Sequence, residues 1–600
     1  MISRLRFSPS TLILILFLTA SGVAPAQNAK PSPEGPAAAN LVLLHGKILT
    51  VDAKDSIAEA VAIRGSKIVA VGTNSEISKR ISTGTQVIDL HGRTATPGLI
   101  DSHVHFADGG INQLYHADLS SAARINDVLA KVRERLATLK PGEWLLGDGW
   151  DEGKLAELRY VYASDLDPLT PNNPVWLTHT TGHYGVANSY AMKLAHITAE
   201  TKNPPAGTID RDAQGKPTGV LKEAAMDGVT DLIPPPTAEQ ERNAVLHMTE
   251  EFYREGMTAL KDPDIAPIEW EAYAQLQKEN KLGVRVFVLW HGGTTVESAR
   301  EVIARLARLG GLPKPPQSLG DSRLFSGGVK LYMDGSGGAR TAWVYKDWNK
   351  NSTGTDAGNR GYPAIEPEVY RQMVRLFHQA GIHIGTHAVG DRAIDWVVDT
   401  YAEVLREKPT KGLRHSIIHC VIPTDHALET MAALERQYDA GYPEAQAPFL
   451  WWIGDIYASS FGPERAPRVN PFKTYLSRSI PWGGGSDFFV TPFPARYGIW
   501  ASMARETLKG VYGARPFGTT ESVDAHTALR SYTVWAAHQM FLEDKIGSIE
   551  AGKLADMAIW DRDLYAVPAS EIKNMKCEMT IFDGRVVYKA AQTPVRVQRD

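Results

Sequence analysis

The sequence predicts a (β/α)8 barrel that carries a composite β-sandwich made from both chain ends and an inserted α+β domain. Three observations predict it. Through the middle of the chain, eight apolar strand-like runs alternate with helix-length segments, the pattern of a parallel sheet wound by βα units. Short β-branched runs near the N terminus are matched by similar runs near the C terminus. Histidine and aspartate recur where the strand-like runs of the middle end.

Taken in order, the first 26 residues read as a cleavable secretory signal: Arg4 and Arg6, the apolar run 12–20 (LILILFLTA), then Ala24-Pro25-Ala26. That run is too short to serve as a comfortable membrane span, so a stable membrane anchor is not expected. A periplasmic or secreted location follows. Residues 27–40 are Pro/Ala-rich and read as a disordered lead-in. Residues 41–97 form strands punctuated by Gly and Asp, and 545–600 return to the same pattern in KLADMAIWD and EMTIFDGRVVYK. The two stretches are expected to pair into one sandwich.

The eight barrel runs are GLIDSHVH (98–105), GMTALKD (256–262), VRVFVLW (284–290), GVKLYMD (328–334), IHIGTH (382–387), HSIIH (415–419), EAQAPF (444–449) and PWGGGSD (481–487). The barrel then comprises 98–106 and 256–544. Residues 107–255 are too many for one βα loop and are expected to form the inserted domain. PVWLTHTTGHYGVAN (174–188) is also strand-like and competes for a place among the eight.

Composition narrows the function classes. Hydrophobic residues make up 43% and charged residues 22% of 600, enough for a large packed core. The net charge of −4 becomes −6 after loss of the signal, with 62 basic against 68 acidic groups and no basic block. Nucleic acid and anionic membrane surfaces are therefore not expected partners. A small-molecule substrate is, and a homo-oligomer remains open. Cys420 and Cys577 are the only cysteines, too few and too far apart for a disulfide framework.

The chemistry gathers at strand ends. His103 and His105 are two apart at the end of an apolar run, so a period of two turns both inward, where two imidazoles can share one metal. His387, His419 and Asp487 end three further runs, and Lys330 lies within a fourth. A bare ammonium facing a barrel interior is costly unless it is neutralised or paired. The active face of such barrels is the C-terminal one, where these residues fall. His383 and His415 share the ligands' parity one step deeper, and a barrel-filling or orienting role is expected for them. His183, Asp334 and Arg340 are expected near substrate, with loop bracing as the competing role. Trp150, Trp343, Trp451, Trp452, Trp482, Phe488 and Phe489 flank these segments and suggest an aromatic substrate pocket.

Seven motifs now fall in order across the mature chain: GKILTVDA, TPGLIDSHVH, KLYMDGSGGARTAW, THAVGDRA, RHSIIHC, GGSD and GSIEAGKLADMAIWD. Together they resemble the amidohydrolase superfamily, in its YtcJ-like branch, and are similar to N-substituted formamide deformylases. GEWLLGDGWDEG and TGHYGVANSYAM resemble that branch's insert. The resemblance implies that His103 and His105 hold a buried divalent metal and His387 and His419 an outer one. The resemblance thus implies two metals per chain, and the ligand type suits Zn2+. It also implies that Lys330 is carboxylated and bridges the two, and that Asp487 is both ligand and catalytic proton acceptor. The implied activity is hydrolysis of an amide C–N bond, in an N-acyl, formamide or cyclic amide substrate, by metal-activated hydroxide.

Four readings compete. Deaminases of the superfamily commonly place a Glu in His-x-x-Glu, where this chain has HAVGDRA; ester and lactone hydrolases stay open. A metal-free glycosidase could pair Asp334 with Asp487, leaving the strand-end histidines without a role. A non-catalytic barrel would not be expected to retain every ligand type.

Overall fold

The computed structural model describes residues 38–309, 322–349, 358–510 and 518–591. The expected signal segment and most of the expected lead-in lie outside the described residues.

All eight expected runs contribute to one eight-stranded sheet. Its strands are β1 (Leu99–Asp101), β2 (Met257–Ile265), β3 (Arg285–His291), β4 (Leu324–Tyr332), β5 (His383–Ala388), β6 (Ser416–His419), β7 (Tyr442–Ala445) and β8 (Gly483–Gly484). They lie in sequence order and every neighbouring pair is parallel. Ser102 N donates to the Gly484 carbonyl at 3.0 Å, which joins β1 to β8 and closes the barrel.

Strand alternation explains the layers. In β3, Val286, Val288 and Trp290 face the helices, whereas Phe287 and Leu289 face inward. Inside, Ile100, Ala259, Phe287, Leu289, Phe325 and Ile418 form an apolar plug, capped from below by Ala536 and Met540. A polar layer rests on it, where the Lys261 ammonium donates to Glu444 at 2.7 Å, both fully buried. The C-terminal strand ends lie above. In β4 a bulge corrects the parity: Val288 pairs with Ser326 but Leu289 with Gly328, so Gly327 is extra. Phe325 below the bulge and Lys330 above it can thus both point inward. A Cβ on Gly327 would come within 2.0 Å of the Phe287 ring, so only glycine fits.

Outside, amphipathic helices cover the strands. Asp391–Glu407 buries Ile394, Val397, Val398, Tyr401, Val404 and Leu405, one face at helical spacing. Ala238–Arg254 sends Val245, Met248 and Phe252 into the same core.

Residues of the segment after β1 build a mixed six-stranded sheet, in the order Gly207–Arg211, Pro217–Glu223, Tyr184–Ala187, Val175–His179, Leu145–Trp150 and Ala117–Asp118. The competing run therefore joins this sheet and not the barrel. Its reason is local: Gly182, at φ 72°, turns the chain so that Tyr184–Ala187 folds back antiparallel on Val175–His179.

The chain ends meet in two further sheets. One has four strands, all from the N-terminal side; the other orders Arg585–Lys589, Cys577–Phe582, Met557–Trp560, Thr94–Pro97, Lys47–Leu49 and Ile57–Ala58. Met557–Trp560 runs antiparallel to Thr94–Pro97, and Leu43, Ile48, Val61, Ala95, Met557 and Ile581 share one core. Arg285 of β3 ties barrel to sandwich, with Nε 2.6 Å from Asp556 and Nη2 2.7 Å from Asp583.

Candidate metal centre

β1 ends at Asp101, so the His pair sits in the extended segment just past the strand and not within it. Backbone bonds hold that segment: Asp487 N donates to the His103 carbonyl at 2.7 Å, and His105 N to the Phe488 carbonyl at 2.8 Å. Asp101, fully buried, accepts from His103 N, Ser486 N and Ser486 Oγ at 3.0, 3.0 and 2.6 Å. Burial pushes its carboxyl up to about 7 even against those donors.

The expected groups converge. Asp487 Oδ1 lies 3.3 Å from His103 Nε2 and 3.4 Å from His105 Nε2. Lys330 Nζ is 3.5 Å from His103 Nε2. The His419 ring is 5.2 Å from His103 and 4.5 Å from His387, centroid to centroid. His103, His419 and Asp487 form a trio with ligand atoms all within 4.8 Å of one another, one that crosses the two expected histidine pairs.

The ring nitrogens are oriented from behind. Glu444 Oε2 lies 3.5 Å from His103 Nδ1, and Gln446 Oε1 is 2.7 Å from His419 Nδ1. His103 Nε2 faces the centre beside Asp487 and Lys330, and the Gln446 bond leaves His419 Nε2 for it. His387 instead spends Nε2 on the Gly335 carbonyl at 3.0 Å, which leaves Nδ1 for a cation. Sequence reading gave Glu444 and Gln446 no role. Their signal was present: two polar side chains of one parity in EAQAPF, on a strand whose inward face is otherwise committed.

Burial, followed by neighbouring His419, His183 and Lys330, holds His387 well below the usual imidazole range. Burial does the same to His419, over the opposing pull of Asp487. Lys330 is depressed, chiefly by burial, toward the neutral amine. Burial would raise Asp487, yet hydrogen bonds from His103 and His105 outweigh it and keep the carboxylate ionised. Imidazoles, an amine whose charged form burial disfavours and a carboxylate are a donor set that suits a borderline cation such as zinc.

A cavity of about 470 Å³ opens over the centre and is lined by His105, Lys330, His387, His419 and Asp487, with His103 buried beneath. His183 joins it from the insert, its ring 5.0 Å from His387 and its Nδ1 3.0 Å from Glu223. Burial lowers the His183 pKa less than Glu223 raises it, so it favours the cation. Asp334 also lines the cavity but is committed to bracing loops: it accepts from Trp343 N, Val389 N and Gly390 N at 2.8, 3.0 and 2.8 Å. A carboxylate so occupied is poorly placed as half of a glycosidase pair. Arg340 is not among the lining residues; it is 2% exposed, and its carbonyl accepts from Asn359.

Of the seven flanking aromatics, Phe489 alone lines this cavity, while Trp150 and Trp482 are core. His383 packs on Phe287 and Phe541 in the plug and bonds the Leu413 carbonyl. His415 accepts from Ile384 N and bonds His378, bracing strand to helix.

Comparison with known proteins agrees with this architecture. The amidohydrolase family model matches residues 86–588. The chain is 29% identical to protein LONG AFTER FAR-RED 3 of Arabidopsis thaliana, over 90% of this chain and 91% of that protein. It is 28% identical to the N-substituted formamide deformylase of Arthrobacter pascens, over 92% and 98%. In fold it is similar to a metal-dependent hydrolase of Pyrococcus horikoshii, with TM-score 0.68 and 24% identity over 88% of this chain and 99% of that one. It is also similar to the zinc-complexed atrazine chlorohydrolase TrzN of Arthrobacter aurescens, with TM-score 0.51 and 15% identity over 92% and 95%.

Proposed function

The chain belongs to the amidohydrolase family and is a metal-dependent hydrolase; from that premise we propose that it cleaves the C–N bond of an amide, of the N-acyl amine or formamide kind. The observation that carries the reading is the convergence of Asp487 with four histidines and Lys330 under one cavity. The similarity to an N-substituted formamide deformylase along nearly the whole chain supports the choice of bond.

His103, His105, His387, His419 and Asp487 would hold the cation or cations, and Lys330, as a carbamate, would bridge two. A divalent metal bound there supplies Lewis acidity and lowers the pKa of water. Formation of the carbamate needs the neutral amine that burial of Lys330 favours, and it replaces an ammonium with an anion beside the cations. Asp487 is placed to take a proton from water and return it to the leaving nitrogen. A cation on the histidines would favour its ionised form, and the backbone bond from Asp487 N to the His103 carbonyl fixes its place. His183, carried in by the insert, lines the same cavity and would donate to the substrate.

The test is a panel of formamides, N-acyl amines, cyclic amides, esters and lactones offered to zinc-loaded protein. Release of amine from acyclic amides, lost with a chelator and regained with zinc, is expected. Turnover of esters or lactones with none of the amides would overturn the choice of bond.

A further inference from the structure

Asp264 and Tyr332 line the cavity over the metal centre without belonging to its donor set. Asp264 is there because β2 breaks its regular pairing. Asp262 pairs with Val288 and Ile265 with Trp290, so β2 takes three steps where β3 takes two. The extra residue lies at Pro263-Asp264, and proline, with no N–H for the ladder, is tolerated at such bulges. Lys261 already faces the barrel interior, so strict alternation would next turn Pro263 inward. The bulge brings the Asp264 carboxylate to the cavity instead. Asp264 sits at φ 69°, in the left-handed region, as His419 (70°) and Asp487 (58°) of the metal centre also do. Non-glycine residues are held there only where the surroundings over-determine the backbone, and they gather at functional sites.

The carboxylate is gripped from two further strand ends. His291, last in β3, has Nδ1 2.7 Å from Asp264 Oδ1, and Tyr332, last in β4, donates its hydroxyl to Oδ2 at 2.9 Å. A bond at each oxygen fixes the Asp264 rotamer, and the second bond fixes the Tyr332 ring. That ring lies against two groups of the metal centre. Its centroid is 4.8 Å from Lys330 Nζ and 5.3 Å from the centroid of the His387 ring, its partner in register between β4 and β5. His387 commits Nε2 to the Gly335 carbonyl, which leaves Nδ1 for a cation, so the aim of Nδ1 depends on what flanks the ring.

We infer that Tyr332 and Asp264 are positioning residues for the cation that His387 holds: the hydroxyl–carboxylate bond locks the Tyr332 ring, and the ring sets the aim of His387 Nδ1. The inference rests on the assignment of His387 to one of two cations made above. Partners that stand behind a metal ligand are worth about 10- to 100-fold in metal affinity. Loss of the Tyr332 hydroxyl is felt at the His387 cation and not at the one held by His103 and His105, because His103 has its own backing in Glu444.

The experiment is stepwise zinc binding to metal-free protein, by competition with a chelator of known affinity. It compares the parent with His387→Ala, Tyr332→Phe, Asp264→Gly and Asp264→Asn. His387→Ala identifies the zinc that depends on His387. Tyr332→Phe keeps the ring and loses only the hydroxyl; it should weaken that zinc by about 10- to 100-fold while the other stays within about twofold. Asp264→Gly should do the same, since glycine accepts φ 69° without strain and the change removes the carboxylate alone. The double variant Tyr332→Phe/Asp264→Gly should be no weaker than either single one, because both break one link. Asp264→Asn tolerates the left-handed backbone, and its amide can meet both neighbours, so it should recover most of the affinity. A merely structural role predicts both zinc ions weakened alike, with a lower melting temperature of the metal-free protein. That result, an unmoved His387-dependent zinc in Tyr332→Phe, or summed losses in the double variant would overturn the inference. With two zinc ions on the parent, such a failure leaves the two-cation reading standing. A parent whose single zinc is indifferent to His387→Ala would sink both, and a single zinc that does need His387 is judged by the same Tyr332→Phe criterion.

Discussion

Asp487 lies within 3.4 Å of two histidines, and on the proposed function it would serve as both ligand and proton acceptor. Replacing it with Asn keeps size and one carbonyl oxygen but removes the basic site. Asp487→Asn is therefore expected to retain zinc, read by metal analysis, and to lose about 10²–10⁴ in kcat. Loss of zinc together with activity would make it chiefly a ligand. At this scale the sequence was informative where chemistry is rare, since His103, His105, Lys330, His387, His419 and Asp487 are types seldom aimed into a barrel. It was silent where the role depends on a neighbour. Nothing in EAQAPF says that Glu444 reaches Lys261 from β2 and His103 from beyond β1, because both partners are distant in sequence.

At the scale of elements, that polar layer is where packing and site meet. Lys261 and Glu444 are both fully buried, so each charge depends on the other. Lys261→Met should leave Glu444 uncompensated and cost about 3–5 kcal/mol in denaturant unfolding, with the His103 ring released from its backing. A change under about 1 kcal/mol would mean that Ser416 and His103 suffice for Glu444. Period-two reading recovered the strands because barrel strands are apolar on both faces and bounded by turns. It erred in detail where the backbone departs from regularity. The β4 bulge at Gly327 shifts parity within the strand, and the His pair lies past the end of β1. Val175–His179 was ambiguous for the same reason: a short apolar run does not say which sheet it joins.

Across the whole molecule, the polar ties that join separate parts set the response to acid. Arg414, just before β6, donates to Glu543 at 2.5 and 3.0 Å, and His538 lies 3.4 Å from the same carboxylate. Burial opposes ionisation of Glu543, but the bonds from His538 and Arg414 win and hold it at about 2, below its ordinary 4.5. A depressed carboxyl stabilises the fold above about pH 4.5 and loses that contribution as pH falls toward about 2. Glu543→Gln should thus lower stability at pH 7 by about 1 kcal/mol, given partial exposure, with the gap to the parent closing below pH ~4.5. A gap that widens in acid would reverse the assignment. The pairing of the two chain ends was legible because both carry the same strand-and-turn pattern. How the insert's sheet brings His183 to the cavity was not, since that contact depends on loops whose paths no local pattern fixes.

On the proposed function, Lys330 would be carboxylated and join two metals between the histidine pairs. That bridge is tested most directly by counting zinc per chain after reconstitution of metal-free protein, with and without bicarbonate, in the parent and in Lys330→Ala. The parent should reach two zinc ions per chain, faster with bicarbonate, and Lys330→Ala should hold at most one. Two zinc ions and full activity in Lys330→Ala would contradict it.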